Sequence, residues 1–344
     1  MSNPYTLTFG KEPSQQISRI LQSNEILDSF TEDEPSNQVF VITGVRGSGK
    51  TVLMTEIANK LSAEKDWITV ELNSSSDMLK SLGAKLYSNQ SLTEYFKNLD
   101  ISLSLFGIEV KLKKENPIVD METAIEKMLE TLKRHNKRLL ITVDEVTSND
   151  YVKAFVSAFQ IFVRKEAPIF LLMTGLYENI SELQNEKNLT FLFRAPKSVM
   201  KPLNLNSIAK NYEKILQVTE EQAGEMARLT CGYSYAFQVL GHLTYANDGD
   251  YVKVIDEYAQ YLEEYVYDKI WSELSAKDKE LAMGIAKTKS GKVSDIREYV
   301  GMTTNEFNPY RKRLIKKGLI NGDSRGYVKF ILPLFDEYVL ANFV

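Results

Sequence analysis

The stretch GVRGSGKT, Gly44–Thr51, stands between an apolar run, VFVIT (Val39–Thr43), and a run with helical spacing, VLMTEIANKL (Val52–Leu61). It fits the pattern G-x-x-x-x-G-K-[ST] throughout, in the strand–loop–helix setting that pattern requires. Gly44, Gly47 and Gly49 remove Cβ atoms at tight points, so that backbone N–H groups can wrap phosphate oxygens. The helix that follows turns its free N–H groups and positive dipole end toward the same anion. Lys50 is placed to reach the β- and γ-phosphates, and the Thr51 hydroxyl to ligate Mg2+. The expected nucleotide-binding set is Gly44, Arg46, Gly47, Ser48, Gly49, Lys50, Thr51 and Val52, with ATP and Mg2+ as cofactors.

Outward from this loop, strand-like and helix-like runs alternate over the first two hundred residues. WITVEL (Trp67–Leu72), RLLITVDE (Arg138–Glu145) and PIFLLMTG (Pro168–Gly175) are apolar without alternation, and METAIEKMLETLKRH (Met121–His135) and YVKAFVSAFQIFVRK are helical between them. Such strands predict a parallel sheet covered by helices on both faces, an α/β P-loop domain over residues 1–204. One segment breaks the pattern. ISLSLFGIEVKLKK (Ile101–Lys114) alternates strictly on either side of Phe106-Gly107, which predicts an inserted β-hairpin, either an edge decoration or a partner-facing element.

A phosphate loop needs an acid on a neighbouring strand. Asp144 ends the most apolar strand, where ligands of open α/β sheets bind, and is the expected partner of Thr51 in holding Mg2+. Glu145 follows directly and suits polarisation of an attacking water; the alternative is an acidic cap on a βα loop. Thr174, at the tip of the next buried strand, is either a contact to the γ-phosphate or lytic water, or a turn residue. Arg194, alone in the apolar run NLTFLFRAP, either reaches a neighbouring subunit's nucleotide or pairs with an internal carboxylate.

Beyond Lys201–Asn204 the strand signal stops. Residues 205–266 read as an all-α segment, and 267–344 as helix–helix–helix–hairpin, the order of a winged helix-turn-helix. The chain of 344 residues carries a net charge of −4, yet residues 287–329 hold 11 cations against 4 anions. The net charge argues against non-specific nucleic-acid binding by the whole protein, whereas the local basic block marks a possible double-stranded DNA surface. Asn308, Arg311, Lys312 and Lys316 on the third helix, with Arg325 at the hairpin turn, are the candidate contacts. A packing or protein-contact role for this module, with cations complementing a helix C-terminus, is the alternative.

The remaining composition sets bounds. With 43% hydrophobic and 26% charged residues a normal core is expected. The one cysteine, Cys231, makes no intrachain disulfide, and His135 and His242 are far apart and read as ordinary histidines. No secretory leader and no apolar run of membrane-spanning length is seen, so a cytoplasmic address without membrane contact is expected.

The order Gly44–Thr51, Leu139–Glu145, Leu171–Gly175, Phe191–Arg194, helical segment, winged helix resembles the AAA+ ATPases of the origin-recognition type. More closely, the G-x-R-G-x-G-K-T form and the run RGYVKFILPLFDEYV are similar to the prokaryotic branch of predicted ATPases related to STAND proteins. The resemblance covers nearly the whole chain. It implies ATP with Mg2+, Thr174 as a phosphate sensor and a helical lid over the nucleotide. It also implies an adenine pocket from the segment around Pro4, Phe9 and Gly10. In that family a lid helix often begins Gly-x-Pro-Arg; here GYSY places Tyr235 where that Arg stands. The departure at Tyr235 points to slow hydrolysis, and a trans role for Arg194 requires a homo-oligomer.

Overall fold

The computed structural model describes residues 2–7, 13–97, 99, 101–107 and 120–343. They fall into two compact units: Ile20–Thr43 with Leu53–Val199, and Met1–Arg19 with Gly44–Val52 and Met200–Val344.

The first unit opens with α1 (Ile20–Thr31), β1 (Val39–Thr43) and α2 (Lys50–Ser62), whose first residues group with the second unit. It continues through β2 (Trp67–Leu72), α3 (Met78–Ser88), α4 (Thr93–Phe96), α5 (Met121–Arg134) and β3 (Arg138–Val143). α6 (Asp150–Arg164), β4 (Ile169–Gly175), α7 (Tyr177–Asn185) and β5 (Lys197–Val199) complete it. The strands form one parallel sheet in the order β2-β3-β4-β1-β5. β1 and β4 are buried at every position, as strands covered on both faces must be.

Because side chains alternate along a strand, the two faces carry separate cores. Val39, Val41, Ile141, Leu171 and Met173 join the helical residues Leu82, Ile125, Met128, Phe155, Phe159 and Phe162 on one face. On the other, Phe30 of α1 meets Phe40 and Phe170 edge-on. The helices start where side chains satisfy their orphan N–H groups: Asp77 caps α3, Asp120 caps α5 and Asn149 caps α6, each worth about 1 kcal/mol. α5 buries Ile125, Met128, Leu129 and Leu132, the stripe its spacing predicts.

The expected hairpin at 101–114 is corrected in its first arm. Leu103–Phe106 is a 3-10 turn and Ile101 an isolated bridge residue; the second arm lies outside the described residues. Phe106 is buried against Gly83 of α3, where a Cβ would lie 2.1 Å from the ring. Tertiary packing into a glycine notch overrides the local alternation.

The second unit is helical after Met200: α8 (Leu205–Leu216), α9 (Glu220–Leu229), α10 (Ser234–Ala246) and α11 (Ile255–Leu262). A five-residue π-helical turn, Glu263–Tyr267, links α11 to α12 (Asp268–Glu273). Then come α13 (Ala276–Thr288), α14 (Val293–Val300), α15 (Thr304–Lys316), β6 (Ile320–Asn321), β7 (Lys329–Phe330) and α16 (Phe335–Phe343). β6 and β7 pair antiparallel as a C-terminal hairpin, and a bridge from Lys292 to Tyr327 adds a third backbone segment beside it. Capping boxes at Thr219/Gln222 and Thr303/Glu306 start α9 and α15. A single buried core runs from Tyr5 and Leu203 to Val339. Tyr5 enters it against Tyr212 and Phe237, over Gly241, where a Cβ would lie 2.6 Å from its ring. Among the described residues no helix is long and apolar enough to cross a membrane.

Candidate functional site

Gly44 directly follows the last residue of β1, and Lys50 is the first residue of α2. Between them, Gly47 and Gly49 have φ of 68° and 89°, the left-handed region where a side chain is strained. The Ser48 N–H closes the loop onto Val45 O at 3.3 Å. Lys50 is buried, and its ammonium donates to Gly44 O and Val45 O, at 3.1 and 3.0 Å. The first turn of α2 carries no acidic residue. Ser48 Oγ is buried and has no hydrogen-bond partner among the described residues. A helix N-terminus without acids, a lysine folded over loop carbonyls and an orphaned hydroxyl together suit a polyanion such as a nucleotide's phosphates.

Four residues hold this loop, and three of them, Arg19, Tyr233 and Ser234, are not singled out by local sequence. The Tyr233 hydroxyl donates to Arg46 O at 2.5 Å, the Tyr235 N–H to Gly47 O at 3.1 Å, and the Ser234 hydroxyl to Ser48 O at 2.9 Å. Arg19 donates to Ser48 O and Ser234 Oγ, each at 3.1 Å. Burial pushes the Arg19 guanidinium down to about 10, so it stays charged at neutral pH. Burial likewise pushes the Tyr235 phenol up to about 12 and the Tyr233 phenol higher, so both keep their protons. Arg46 points outward to Glu273 at 2.8 Å. Burial opposes ionisation of Glu273, but hydrogen bonds and charge from Arg46 and Lys269 outweigh it and hold the carboxyl below its ordinary range. The contact that Tyr235 makes with the phosphate loop is through its backbone N–H.

The acids belong to the sheet unit. Parallel register pairs Val143 with Met173 and Ile42 with Thr174, so the ends of β3, β4 and β1 lie level. Thr174 is fully buried. Its hydroxyl donates to the Asp144 carboxylate and accepts the Glu145 N–H at 3.1 Å. Val146 N–H adds a bond to Thr174 O at 2.8 Å. Glu145 is exposed and sits at φ 49°, a left-handed conformation unusual for a residue with a side chain. Asp144, Glu145 and Thr174 thus form one group, with the Thr174 hydroxyl engaged by the other two. Their carboxylate oxygens, like the Thr51 hydroxyl, are hard donors of the kind Mg2+ takes.

Arg194 lies in a 3-10 turn, Thr190–Arg194, is exposed, and makes no ion pair among the described residues. In the C-terminal region Asn308, Lys312 and Lys316 are exposed on α15 at four-residue intervals, one face of the helix, and Arg325 is exposed in the β6–β7 turn. Arg311 is set apart from them: it turns inward and donates to Gly322 O at 3.2 Å. Arg313, another cation of the basic block, pairs with the buried Asp278 at 2.7 Å and lies over the Tyr310 ring. Of the segment expected at the adenine, Phe9 and Gly10 lie outside the described residues.

A family model described as an ATPase domain predominantly from Archaea matches residues 24–198, and a domain of unknown function (DUF8462) matches residues 264–339. Among solved structures, the Walker-type ATPase PABY2304 of Pyrococcus abyssi is similar at 16% identity over 97% of this chain and 99% of that one, with a TM-score of 0.68. Cdc6p from Pyrobaculum aerophilum is similar at 12% identity over 97% of each chain, with a TM-score of 0.49. A search of curated proteins finds no match. The first likeness shows a shared fold along the whole chain. The family segment takes in half of the chain, including the phosphate loop, Asp144, Glu145 and Thr174, and the chain belongs to the ATPase domains found predominantly in Archaea.

Proposed function

We propose that the chain is an ATP-hydrolysing switch of the AAA+ type, in which nucleotide state governs the winged-helix segment at 267–344. ATP is held by Gly44–Val52, with the helical segment at 205–266 as its lid. Thr51 and Asp144 are the residues to hold Mg2+, which when bound would neutralise phosphate charge. Glu145 orients and polarises the attacking water, and Thr174 positions both acids. Arg194, exposed and without an ion pair among the described residues, suits stabilisation of a neighbour's γ-phosphate in a homo-oligomer.

The observation that favours hydrolysis over simple binding is Glu145. A left-handed conformation costs about 1–2 kcal/mol and persists where surroundings hold it. Here the Thr174 hydroxyl accepts the Glu145 N–H while donating to Asp144. The test is steady-state turnover of ATP with and without Mg2+. Glu145→Gln should retain ATP binding and lose turnover at least tenfold; undiminished turnover would reduce Glu145 to a loop cap.

DNA contact is the finer part of the proposal. Lys312 and Lys316, with Asn308 and Arg325, supply an exposed basic face. A second reading, a STAND-like switch whose wing meets protein, draws on the inward turn of Arg311, which takes one candidate cation out of that face, and on the engagement of Arg313 by Asp278. Duplex binding as a function of salt separates the two. Lys312→Glu with Lys316→Glu should weaken binding and flatten the salt slope by about 2. Equal affinity in wild type and variant would favour the protein-contact reading.

A further inference from the structure

We propose that Arg19, Tyr233 and Ser234 are positioning residues of the nucleotide loop: they hold the Arg46 and Ser48 carbonyls from outside so that the Gly47 and Gly49 N–H groups face the phosphates. The proposal rests on the reading of Gly44–Thr51 as the phosphate site.

In a planar trans peptide the C=O of one residue and the N–H of the next point in opposite directions. No cis peptide occurs among the described residues. Fixing a carbonyl therefore fixes where the following N–H points. Three successive carbonyls of this loop are fixed. Arg46 O takes the Tyr233 hydroxyl, Gly47 O takes the Tyr235 N–H, and Ser48 O takes the Ser234 hydroxyl and Arg19. The N–H groups of Gly47, Ser48 and Gly49 are thereby turned away from α10. The Ser48 N–H goes to Val45 O and tightens the loop.

The contact is close enough to be specific. A Cβ on Gly47 would lie 2.2 Å from the Tyr233 oxygen, and one on Gly49 would lie 3.3 Å from Ser234 Oγ. The bracket also serves α10. Its N-cap, Tyr233, offers no side-chain cap, and Gly47 O takes up one of the helix's orphan N–H groups instead. Donor supply is secure: Tyr233 and Arg19 keep their protons across the neutral range. A glycine-rich loop left alone samples many conformations, and most do not converge its N–H groups on one anion. Holding it from outside removes that ordering cost from nucleotide binding.

The test uses the full chain and calorimetric titration with ATP and with adenosine, which lacks phosphates, beside thermal midpoints. Tyr233→Phe and Ser234→Ala should each weaken ATP about 3–10-fold, the loss of one net hydrogen bond, with adenosine unchanged. The double variant should lose more than either, and Ser234→Thr, which keeps the hydroxyl, should recover wild-type affinity. Arg19→Lys, keeping charge and one donor, should lose less than Arg19→Gln. Two results would overturn the proposal while leaving the ATP site standing: ATP affinity within twofold of wild type in the double variant, or ATP and adenosine weakened equally. Wild-type protein that fails to bind ATP would overturn the nucleotide reading and this proposal with it.

Discussion

Replacing Thr174 by Val keeps the side-chain shape and deletes one oxygen. That oxygen donates to the Asp144 carboxylate and accepts the Glu145 N–H, from a fully buried position at the end of β4. A hydrogen bond to a charged group is worth about 1.5–3 kcal/mol, and a partly buried N–H left without an acceptor adds up to about 1 kcal/mol. The expected destabilisation of the sheet unit is about 2–4 kcal/mol, which for a unit of this size lowers its unfolding midpoint by roughly 5–15 °C. Thr174→Ser is the control. It keeps the hydroxyl and loses a buried methyl, a cost of about 1 kcal/mol. Circular dichroism against temperature reads the midpoints, and ATP turnover at 25 °C reads the acids' placement. Thr174→Val should lose turnover by at least tenfold while Thr174→Ser stays near wild type. If the Val variant is as stable and as active as the Ser variant, the hydroxyl neither positions the acids nor supports the turn.

Two further perturbations test other parts of the loop. Gly47→Ala places a Cβ 2.2 Å from the Tyr233 oxygen at a φ of 68°. It should weaken ATP binding at least tenfold, the left-handed strain alone being about 1–2 kcal/mol, and wild-type affinity in a titration would contradict the close packing. Glu273 ionises below its ordinary range because Arg46 and Lys269 outweigh the burial that opposes its charge. Its contribution is therefore full above the ordinary glutamate value and is lost as pH falls through the depressed one. Glu273→Gln should reduce the acid-side loss of stability and change neutral stability by no more than about 1 kcal/mol, as the pair is partly exposed. A pH-stability profile parallel to wild type would show that the pair adds nothing.

The legible parts of this protein are those where local pattern and tertiary role coincide. Continuous apolar runs announce β1, β3 and β4, because a strand covered on both faces has no polar side to show. GVRGSGKT announces the phosphate loop, because the chemistry demands glycine at set points and Lys-Thr at the helix start. Asp144 and Glu145 are legible as acids at a strand end, but the Thr174 bridge joining them depends on β3–β4 register, which sequence spacing does not contain. The segment Ile101–Leu105 alternates as a strand would, yet the space open to Phe106 is a notch at Gly83, brought there by folding. Arg19, Tyr233 and Ser234 carry no local signal, since their targets are main-chain carbonyls that leave no mark on side-chain pattern. Arg311 and Arg313 count alike as basic surface in a charge tally, and only the folded chain shows Gly322 taking Arg311 inward and Asp278 pairing with Arg313.

The most direct measurement is titration of the full chain with Mg-ATP, wild type beside Lys50→Ala, with thermal midpoints taken on both. Lys50 is the buried cation of the loop, and the variant should lose ATP binding by at least a hundredfold, the midpoints reporting the separate cost of leaving the Gly44 and Val45 carbonyls without its ammonium. Equal ATP affinity in the two proteins would contradict the assignment of Gly44–Thr51 as the nucleotide site.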